Sequence, residues 1–342
     1  VTAIDPKGML KYTDEFPKQC REALALARQV EAPTLSNRPN LVLLTGLGGS
    51  AAGGDFVRAL FEEQAATPFL VNRDYHLPKY VGLGDVVFCC SYSGNTEETL
   101  SAYEDAKKAG AKIICVTSGG KLKEKADEDG NPVIQVPGGQ PPRTALGYLL
   151  IPVVDMCVRL KVLPEQPFQE AFDALDAGVS AWSVEGTDAQ PKEIAQALYG
   201  KLGILYGLGS WQGLIANRWR GQINENAKNL CFHNAFPELN HNEILGWVGA
   251  GKQGVGKYVV VTLSDGTESE KMKTRYKVTK KLIGSLAEFH EVQARGEALL
   301  SKLLTLTFFG DYVSIYLAAL NQVDPENIDS INTLKAELAK VD

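Results

Sequence analysis

The sequence predicts an α/β protein made of two αβα sandwich domains, each with a central parallel sheet. Two observations lead to this prediction. Apolar runs of strand length alternate with helical segments through the first half of the chain, as they do in parallel sheets covered by helices on both faces. The pattern then begins again about 160 residues later, where residues 202–210 (LGILYGLGS) echo residues 41–50 (LVLLTGLGGS).

The first half of the chain yields the clearest element predictions. Apolar residues at helical spacing predict an N-terminal helix over residues 9–30, ended by Pro33 and Pro39. The alternation that follows predicts strands at 41–45, 68–71, 86–90, 112–116 and 133–136, and helices at 51–64, 96–108 and 143–161. We therefore expect a parallel sheet between two helical layers.

The second half indicates an internal repeat. Residues 163–191 are weakly helical and predict a connector, after which residues 258–268 (YVVVTLSDGTE) echo the strand and hydroxyl-rich turn of residues 86–98. Two similar pairs in the same order favour two similar domains over a chance likeness between strand–glycine turns. The predicted organisation is an N-terminal helical segment (1–35), a first domain (36–160), a connector (161–195), a second domain (196–325) and a C-terminal helix (326–342).

Composition narrows the functional classes. The chain has 342 residues, of which 44% are hydrophobic and 22% charged, as in ordinary globular proteins. A net charge of −6 argues against nucleic acid as a partner, because no basic surface is available to neutralise a phosphate backbone. No apolar run approaches the roughly 20 residues of a membrane span, and the N-terminus lacks a signal-peptide core, so we expect no membrane partner.

Cysteine and histidine usage points to a cytoplasmic protein without a metal. The six cysteines form no C-x-x-C pair and most lie in apolar runs, which is typical of buried thiols in a reducing compartment. The four histidines show no H-x-x-x-H or H-E-x-x-H spacing, so a histidine-based metal site is not expected.

The most informative stretch is residues 90–99 (CSYSGNTEET), which lie between a buried strand and a helix. The first backbone N–H groups of a helix lack partners and carry a partial positive charge, so such a turn binds phosphate. Ser91, Ser93 and Thr96 would add hydroxyl donors, and Gly94 would let the backbone approach closely. The alternative is an ordinary helix cap with Ser93 or Asn95 as the N-cap residue.

A second glycine turn, residues 46–51 (GLGGSA), also fits the G-x-G-x-x-A fingerprint of dinucleotide-binding proteins. Two phosphate-type turns at neighbouring strand ends favour one compact phosphate instead, with Gly49 and Ser50 contributing from the first turn. In the second domain, Trp211 stands where the first domain has Ala51. Asp265 places a negative charge next to Ser264, in the turn that corresponds to residues 90–99. We therefore predict one phosphate site per chain, in the first domain.

Two charged residues outside these turns are also candidates. On the predicted helix 211–230, apolar residues form one stripe and Glu225 lies on the opposite, polar face, where a solvated carboxylate is the alternative. Arg143 follows two prolines and begins a predicted helix, where a cation is unfavourable unless an anion offsets it. A reaction intermediate with negative charge, or a carboxylate, would supply that anion.

The sequence resembles a known family in several of these stretches. Residues 46–51 and 91–99 resemble the sugar isomerase (SIS) domain, while residues 218–228 (RWRGQINENAK) and 237–243 (PELNHNE) are similar to bifunctional phosphoglucose/phosphomannose isomerases. The resemblance covers nearly the whole chain. It implies two SIS-type domains, a homodimer, an active site at the domain and subunit boundary, and metal-free conversion of glucose 6-phosphate and mannose 6-phosphate to fructose 6-phosphate, with no cofactor.

The resemblance also implies roles for individual residues. Gly49, Ser50, Ser91, Ser93 and Thr96 would hold the substrate phosphate. Glu225 would be the catalytic base and Arg143 would stabilise the enediolate, while Lys335 and the partner subunit's His241 would assist ring opening. The alternatives are another SIS isomerase, acting on an amino sugar or pentose phosphate, and a non-catalytic sugar-phosphate sensor. A sensor would not need Glu225 or Arg143 and usually carries a DNA-binding segment, which this sequence does not show.

Overall fold

The computed structural model describes residues 2–253, 257–338 and 340, with the backbone alone described at Thr2, Lys335 and Leu338. The chain divides into two compact units. The N-terminal-sheet unit comprises Glu15–Asp176 and Gly296–Leu303, and the C-terminal-sheet unit comprises Val1–Asp14, Ala177–Arg295 and Leu304–Asp342. Each unit contains one parallel sheet, which confirms the predicted fold class. The finer domain boundaries given above stay a prediction.

The strands and helices follow one another in the predicted alternation. The strands are β1 (Val42–Thr45), β2 (Phe69–Asn72), β3 (Val86–Ser91), β4 (Lys112–Thr117), β5 (Val133–Gln135), β6 (Leu202–Gly207), β7 (Cys231–Ala235), β8 (Tyr258–Ser264) and β9 (Ala287–Gln293). The helices are α1 (Met9–Asp14), α2 (Phe16–Ala27), α3 (Gly49–Gln64), α4 (Glu97–Ala109), α5 (Gly120–Glu128), α6 (Leu146–Arg159), α7 (Phe168–Trp182), α8 (Gln190–Leu198), α9 (Ser210–Ala227), α10 (Glu243–Ala250), α11 (Glu270–Ile283), α12 (Leu299–Leu320) and α13 (Asp329–Leu338).

The first sheet has the strand order β2-β1-β3-β4-β5, and all its neighbours are parallel. Every residue of β1 and β3 is buried, because helices cover both faces of a parallel sheet. Thr45 at the end of β1 lies opposite Cys89, so β3 continues two residues further, to Ser91. The five strands predicted for the first half of the chain are all present.

The second sheet repeats this arrangement with the order β7-β6-β8-β9, again parallel throughout. In both sheets the first and third strands of the repeat are the central neighbours, β1 with β3 and β6 with β8. One apolar core in this unit packs Tyr206, Phe236 and Trp247 against the face of the sheet that bears Val260. The internal repeat is therefore visible as a repeated topology.

Two predicted helices have different limits in the structure. The single N-terminal helix predicted over 9–30 is wrong, because it divides into α1 and α2 at Glu15. Pro17 lacks an amide hydrogen and is accommodated in the first turn of a new helix, where that donor is not needed. The helix predicted from residue 143 begins at Leu146, and Pro142–Thr144 forms a separate 3-10 turn before it.

Helix α12 has the length and hydropathy of a membrane span, although Lys302 and Asp311 interrupt its apolar run. Among the described residues it is the one helix that meets both criteria, with 22 residues and a mean hydropathy of 1.6 in its most apolar 18-residue window. Of its most apolar window, 83% is buried within the protein. A helix that is apolar on all sides is typical of a buried core helix as well as of a membrane span.

Candidate active site

The two phosphate-type turns lie side by side in the N-terminal-sheet unit. The chain leaves β1 toward β2 on one side and leaves β3 toward β4 on the other, so the carboxyl ends of β1 and β3 mark the point where the strand order reverses. Ligands of open α/β sheets bind at this point. A Cβ atom on Gly46 would lie 2.8 Å from the carbonyl oxygen of Cys90, so the two turns are in direct contact.

The first turn leads into helix α3. Gly48 precedes the helix with a φ of +54°, and no side chain caps the first turn within the part of the chain that the structure describes. Ser50 is buried, with 5% of its surface exposed. The uncapped start of the helix therefore has the amide groups and partial positive charge that an anion requires.

The second turn leads from β3 into α4. The hydroxyls of Ser91 and Thr96 are hydrogen-bonded at 2.9 Å, and the amide of Gly94 donates to Ser91 Oγ at 3.1 Å. Thr96 is the residue that precedes α4, yet no side chain among the described residues makes a capping bond at the start of this helix. The alternative of an ordinary cap by Ser93 or Asn95 is therefore wrong, because these side chains order the turn and do not cap the helix. Ser91 is buried, whereas Ser93 is exposed.

A third loop, which the sequence had not singled out, supports the second turn. The amide of Leu122 donates to the carbonyl oxygen of Gly94 at 2.9 Å, and the amide of Lys121 donates to Asn95 Oδ1 at 3.2 Å. Ser118 donates its hydroxyl to the carbonyl oxygen of Tyr92 at 2.7 Å. Asn95 therefore has a structural role. The S-G-G sequence directly after the strand at 112–116 was the available signal for this loop.

Arg143 lies against the first turn. A Cβ atom on Gly49 would be 2.8 Å from the carbonyl oxygen of Pro142 and 3.8 Å from the Cα atom of Arg143. Arg143 is buried, with 6% of its surface exposed. It belongs to the 3-10 turn before α6, so it does not occupy the first turn of an α-helix as the sequence predicted. The structure thus brings Arg143 together with Gly49.

Gln19 holds the Arg143 turn in place and was missed by sequence reasoning. Its Nε2 donates to the carbonyl oxygen of Thr144 at 2.9 Å, and its Oε1 accepts from the amide of Gly147 at 2.7 Å.

Gln140 lies just before Arg143 in the sequence. Its side-chain nitrogen is buried and has no hydrogen-bond partner in the described part of the chain. A buried donor without a partner destabilises a protein by about 1–3 kcal/mol, so this segment offers a ligand an unused donor.

Glu225 lies near the C-terminal end of α9, in the C-terminal-sheet unit. The apolar stripe predicted for this helix is buried, with Ile215, Trp219 and Ile223 fully enclosed. The opposite face is not wholly solvated, because Gln222 is buried and donates to Asp311 Oδ1 of α12 at 2.7 Å. Burial raises the pKa of Asp311, against the opposing effects of Arg218 and the bond from Gln222.

The polar neighbours of Glu225 have structural contacts. Asn224 Oδ1 accepts from the amide of Cys231 at 3.0 Å, and Asn226 Nδ2 donates to Ser314 Oγ at 2.9 Å. Lys228, with a φ of +50°, ends the helix and donates to the carbonyl oxygens of Glu225 and Asp324. These contacts position the C-terminal end of α9. Glu225 is the carboxylate among residues 224–228.

His241 and Lys335 also belong to the C-terminal-sheet unit. His241 is exposed at the end of the 3-10 turn Glu238–His241. Lys335 lies on α13, and its side chain falls outside the described residues. In β7, burial of the His233 side chain lowers its pKa, the charge of Arg220 lowers that pKa further, and the charge of Glu243 raises it. Across the described ranges, no group of three or more His, Cys, Asp and Glu side chains is placed to hold a metal ion.

The repeated turn of the C-terminal-sheet unit is closed by its own side chains. The amide of Asp265 donates to Glu268 Oε1 at 2.6 Å, and the amide and hydroxyl of Thr267 donate to the Asp265 carboxylate. Ser269 caps helix α11 by accepting from the amide of Met272 at 3.3 Å. Carboxylates and a capped helix leave this turn unsuited to phosphate.

Comparison with known proteins covers nearly the whole chain. Residues 35–129 match the SIS domain model, and residues 187–338 match the model of the bacterial phospho-glucose isomerase C-terminal SIS domain. The bifunctional phosphoglucose/phosphomannose isomerase of Caldicellulosiruptor bescii is 39% identical over 338 residues, covering 97% of this chain and 99% of that protein. The same-named protein of Thermoplasma acidophilum is 33% identical over 332 residues, covering 96% and 98%.

A solved structure shows the same fold at low sequence identity. The C-terminal domain of glucosamine-fructose-6-phosphate aminotransferase from Francisella tularensis superposes with a TM-score of 0.71 at 15% identity, covering 93% of this chain and 98% of that one.

Proposed function

The chain belongs to the bifunctional phosphoglucose/phosphomannose isomerases, and from that membership we propose the roles of its residues in catalysis. It is an isomerase that interconverts glucose 6-phosphate and mannose 6-phosphate with fructose 6-phosphate. We propose that the reaction passes through a cis-enediolate and needs no metal. The observation that carries this proposal is the pair of adjoining turns at the ends of β1 and β3, with a buried arginine against the first of them.

Phosphate binding falls to the two turns of the N-terminal-sheet unit. Gly49 and Ser50 offer the uncapped start of α3, and Ser91, Ser93 and Thr96 offer hydroxyls at the start of α4. Because Ser91 and Thr96 already bond to each other, one ligand oxygen can replace that contact and receive both hydroxyls. Hydrogen bonds to a charged group are the stronger ones, so this cradle anchors the end of the substrate remote from the reaction.

The isomerisation itself moves a proton between two adjacent carbons. A single carboxylate that reaches both carbons serves as the base, and we assign this role to Glu225. The enediolate that forms carries negative charge on oxygen, and a buried guanidinium stabilises such charge more strongly than a solvated one. Arg143 meets that description, because it is buried and permanently charged.

Ring opening precedes isomerisation and requires acid–base groups of its own. We propose His241 and Lys335 for this step, with the protein acting as a homodimer in which each site uses His241 of the partner subunit. The exposure of His241 supports a role at a surface between subunits. Leu245 and Val248, on the helix that follows, are 71% and 84% exposed in the single chain. Apolar residues that a partner subunit covers would show such exposure when one chain is considered alone.

Two alternatives remain as outcomes of a direct test. An SIS isomerase for an amino sugar or a pentose phosphate would leave both hexose 6-phosphates unconverted, and a sensor would bind them without turnover. The test is a coupled assay of the purified protein on glucose 6-phosphate and mannose 6-phosphate, with and without EDTA. We expect both substrates to be converted and EDTA to have no effect, in a cytoplasmic enzyme. Activity that is lost on chelation and restored by zinc would contradict the metal-free mechanism.

A further inference from the structure

Both carboxylate oxygens of Glu243 are held inside the C-terminal-sheet unit. Tyr206 of β6 donates its hydroxyl to Glu243 Oε1, and Asn234 of β7 donates Nδ2 to Glu243 Oε2 at 2.6 Å. Trp247, one turn further along α10, donates Nε1 to the Tyr206 hydroxyl at 2.9 Å. The proposed function uses none of these four residues.

The sheet register sets this geometry. Tyr206 and Asn234 are direct partners in the parallel pairing of β6 with β7, so their side chains leave the sheet on the same face. Asn234 Oδ1 accepts from the amide of Ala235 at 2.8 Å, which turns the Nδ2 group toward Glu243. Tyr206 is fully buried, and burial together with the bond to Glu243 raises the pKa of its hydroxyl. The phenol therefore stays a donor.

The residues around His241 are anchored one after another. Leu239 is fully buried, Asn240 Nδ2 donates to the hydroxyl of Thr279 at 2.9 Å, and Asn242 Nδ2 donates to Glu238 Oε1 at 2.8 Å. Glu243 follows, with both oxygens bonded. His241 is the exposed residue between these attachments.

We propose that Glu243, held by Tyr206 and Asn234, is a positioning residue that fixes the His241 imidazole for ring opening. This inference rests on the role of His241 in the proposed function. Attaching a helix to the core through a carboxylate removes a charge from water, which opposes folding. An apolar residue would pack at the same place without that unfavourable term. The two charge-assisted hydrogen bonds of Glu243 instead fix the direction of the backbone at His241, two residues earlier in the chain. Packing alone would not fix that direction.

Exchange of the two hydrogen-bonding partners provides the test. Glu243→Gln leaves a single acceptor oxygen for the two donors, Tyr206 and Asn234, and Asn234→Asp sets two carboxylates against each other, so each single change removes at least one hydrogen bond. In the double variant the new amide at position 243 donates to the new carboxylate at position 234, the Tyr206 bond to Oε1 persists, and the Ala235 amide keeps its acceptor. We expect each single variant to lower kcat by about tenfold or more, and the double variant to recover most of it.

Three further measurements separate positioning from general damage. The inhibition constant for inorganic phosphate, which reports the turns of the first sheet, should stay within twofold of wild type in all variants. In a His241→Ala background, Glu243→Gln should lower kcat no further, because the residue acts through His241. Glu288→Gln, which removes an exposed partner of Lys201 in the same unit, is the matched control and should leave kcat unchanged.

A measurement without turnover keeps the inference independent of the assay. The chain has four histidines, so the His241 ring signals can be assigned by NMR from their loss in His241→Ala. Glu243→Gln should split or broaden them while His290 signals stay sharp, and the double variant should restore one set. His233 is not used, because it adjoins Asn234. Unchanged His241 signals, or an equal kcat loss in the His241→Ala background, would overturn the inference, whereas inactive wild-type protein would overturn the proposed function alone.

Discussion

Gly94 and Gly119 lie so close that a Cβ atom on Gly94 would sit 1.7 Å from the Gly119 carbonyl oxygen. Gly94 also has a φ of +70°, which side chains other than glycine rarely adopt. The turn after β3 thus packs closely against the loop after β4, and within that turn the amide of Gly94 donates to Ser91 Oγ, which is hydrogen-bonded to the hydroxyl of Thr96.

Gly94→Ala should therefore disrupt the phosphate cradle. The left-handed backbone and the collision with Gly119 together should destabilise the folded protein by about 2 kcal/mol or more. Denaturant unfolding and the KM for glucose 6-phosphate both report the change. Gly82→Ala is the matched control in the same unit, because nothing lies within 4 Å of its would-be Cβ atom. Equal midpoints for the two variants would show that the Gly94 contact has no energetic weight.

Ser93→Ala and Thr96→Ala should weaken substrate binding. Each removes a hydroxyl proposed to bond to the charged phosphate, and such a bond contributes roughly 1.5–3 kcal/mol, so KM should rise about ten- to a hundredfold. Steady-state kinetics on both hexose phosphates measures this. Ser101→Ala, further along α4, removes a hydroxyl outside the turn and should leave KM unchanged. A KM within twofold of wild type in the Thr96 variant would place the phosphate elsewhere.

Glu225→Gln should abolish turnover while inhibitor binding remains nearly intact. The amide keeps the shape of the side chain but cannot accept the proton that isomerisation removes from carbon. Kinetics together with a competitive-inhibitor titration separates the two properties. The exposed Glu193 of α8 supplies the control, because Glu193→Gln removes a carboxylate of the same unit and should leave kcat unchanged. Substantial kcat in the Glu225 variant would assign the base to another residue.

A mixing experiment tests the proposed exchange of His241 between subunits. When Glu225→Gln chains, which are inactive, pair with His241→Ala chains, which keep only a low residual activity, one site of each mixed dimer carries both changes and the other carries neither. Random exchange makes about half of the dimers mixed, so roughly a quarter of the wild-type sites should return. Refolding of the mixture ensures exchange, and each variant refolded alone is the control. No recovery in proven mixed dimers would show that His241 does not act across the interface.

Sequence pattern predicted all five strands of the first sheet but only the two central strands of the second. The strands β1, β3, β6 and β8 are neighbours at the centres of the two sheets, and their continuous apolar runs are legible in the sequence. The edge strands β7 and β9 were missed, because their exposed positions admit polar residues such as His233 and Glu291. Helix α12 was missed for the opposite reason: it is apolar on all sides and shows no amphipathic period.

The sequence by itself determined the α/β class, the repeat, the family and the two turns at the ends of β1 and β3, because strand–glycine–hydroxyl strings are local and require no distant partner. Only the tertiary structure decided what each polar residue does. Asn95 and Asn226 belong to the same strings as the candidate functional groups, yet each bonds to a distant segment. Hydrogen bonds between residues far apart in sequence leave no periodic trace, so Gln19 and Glu243 could be recognised only once the chain was folded.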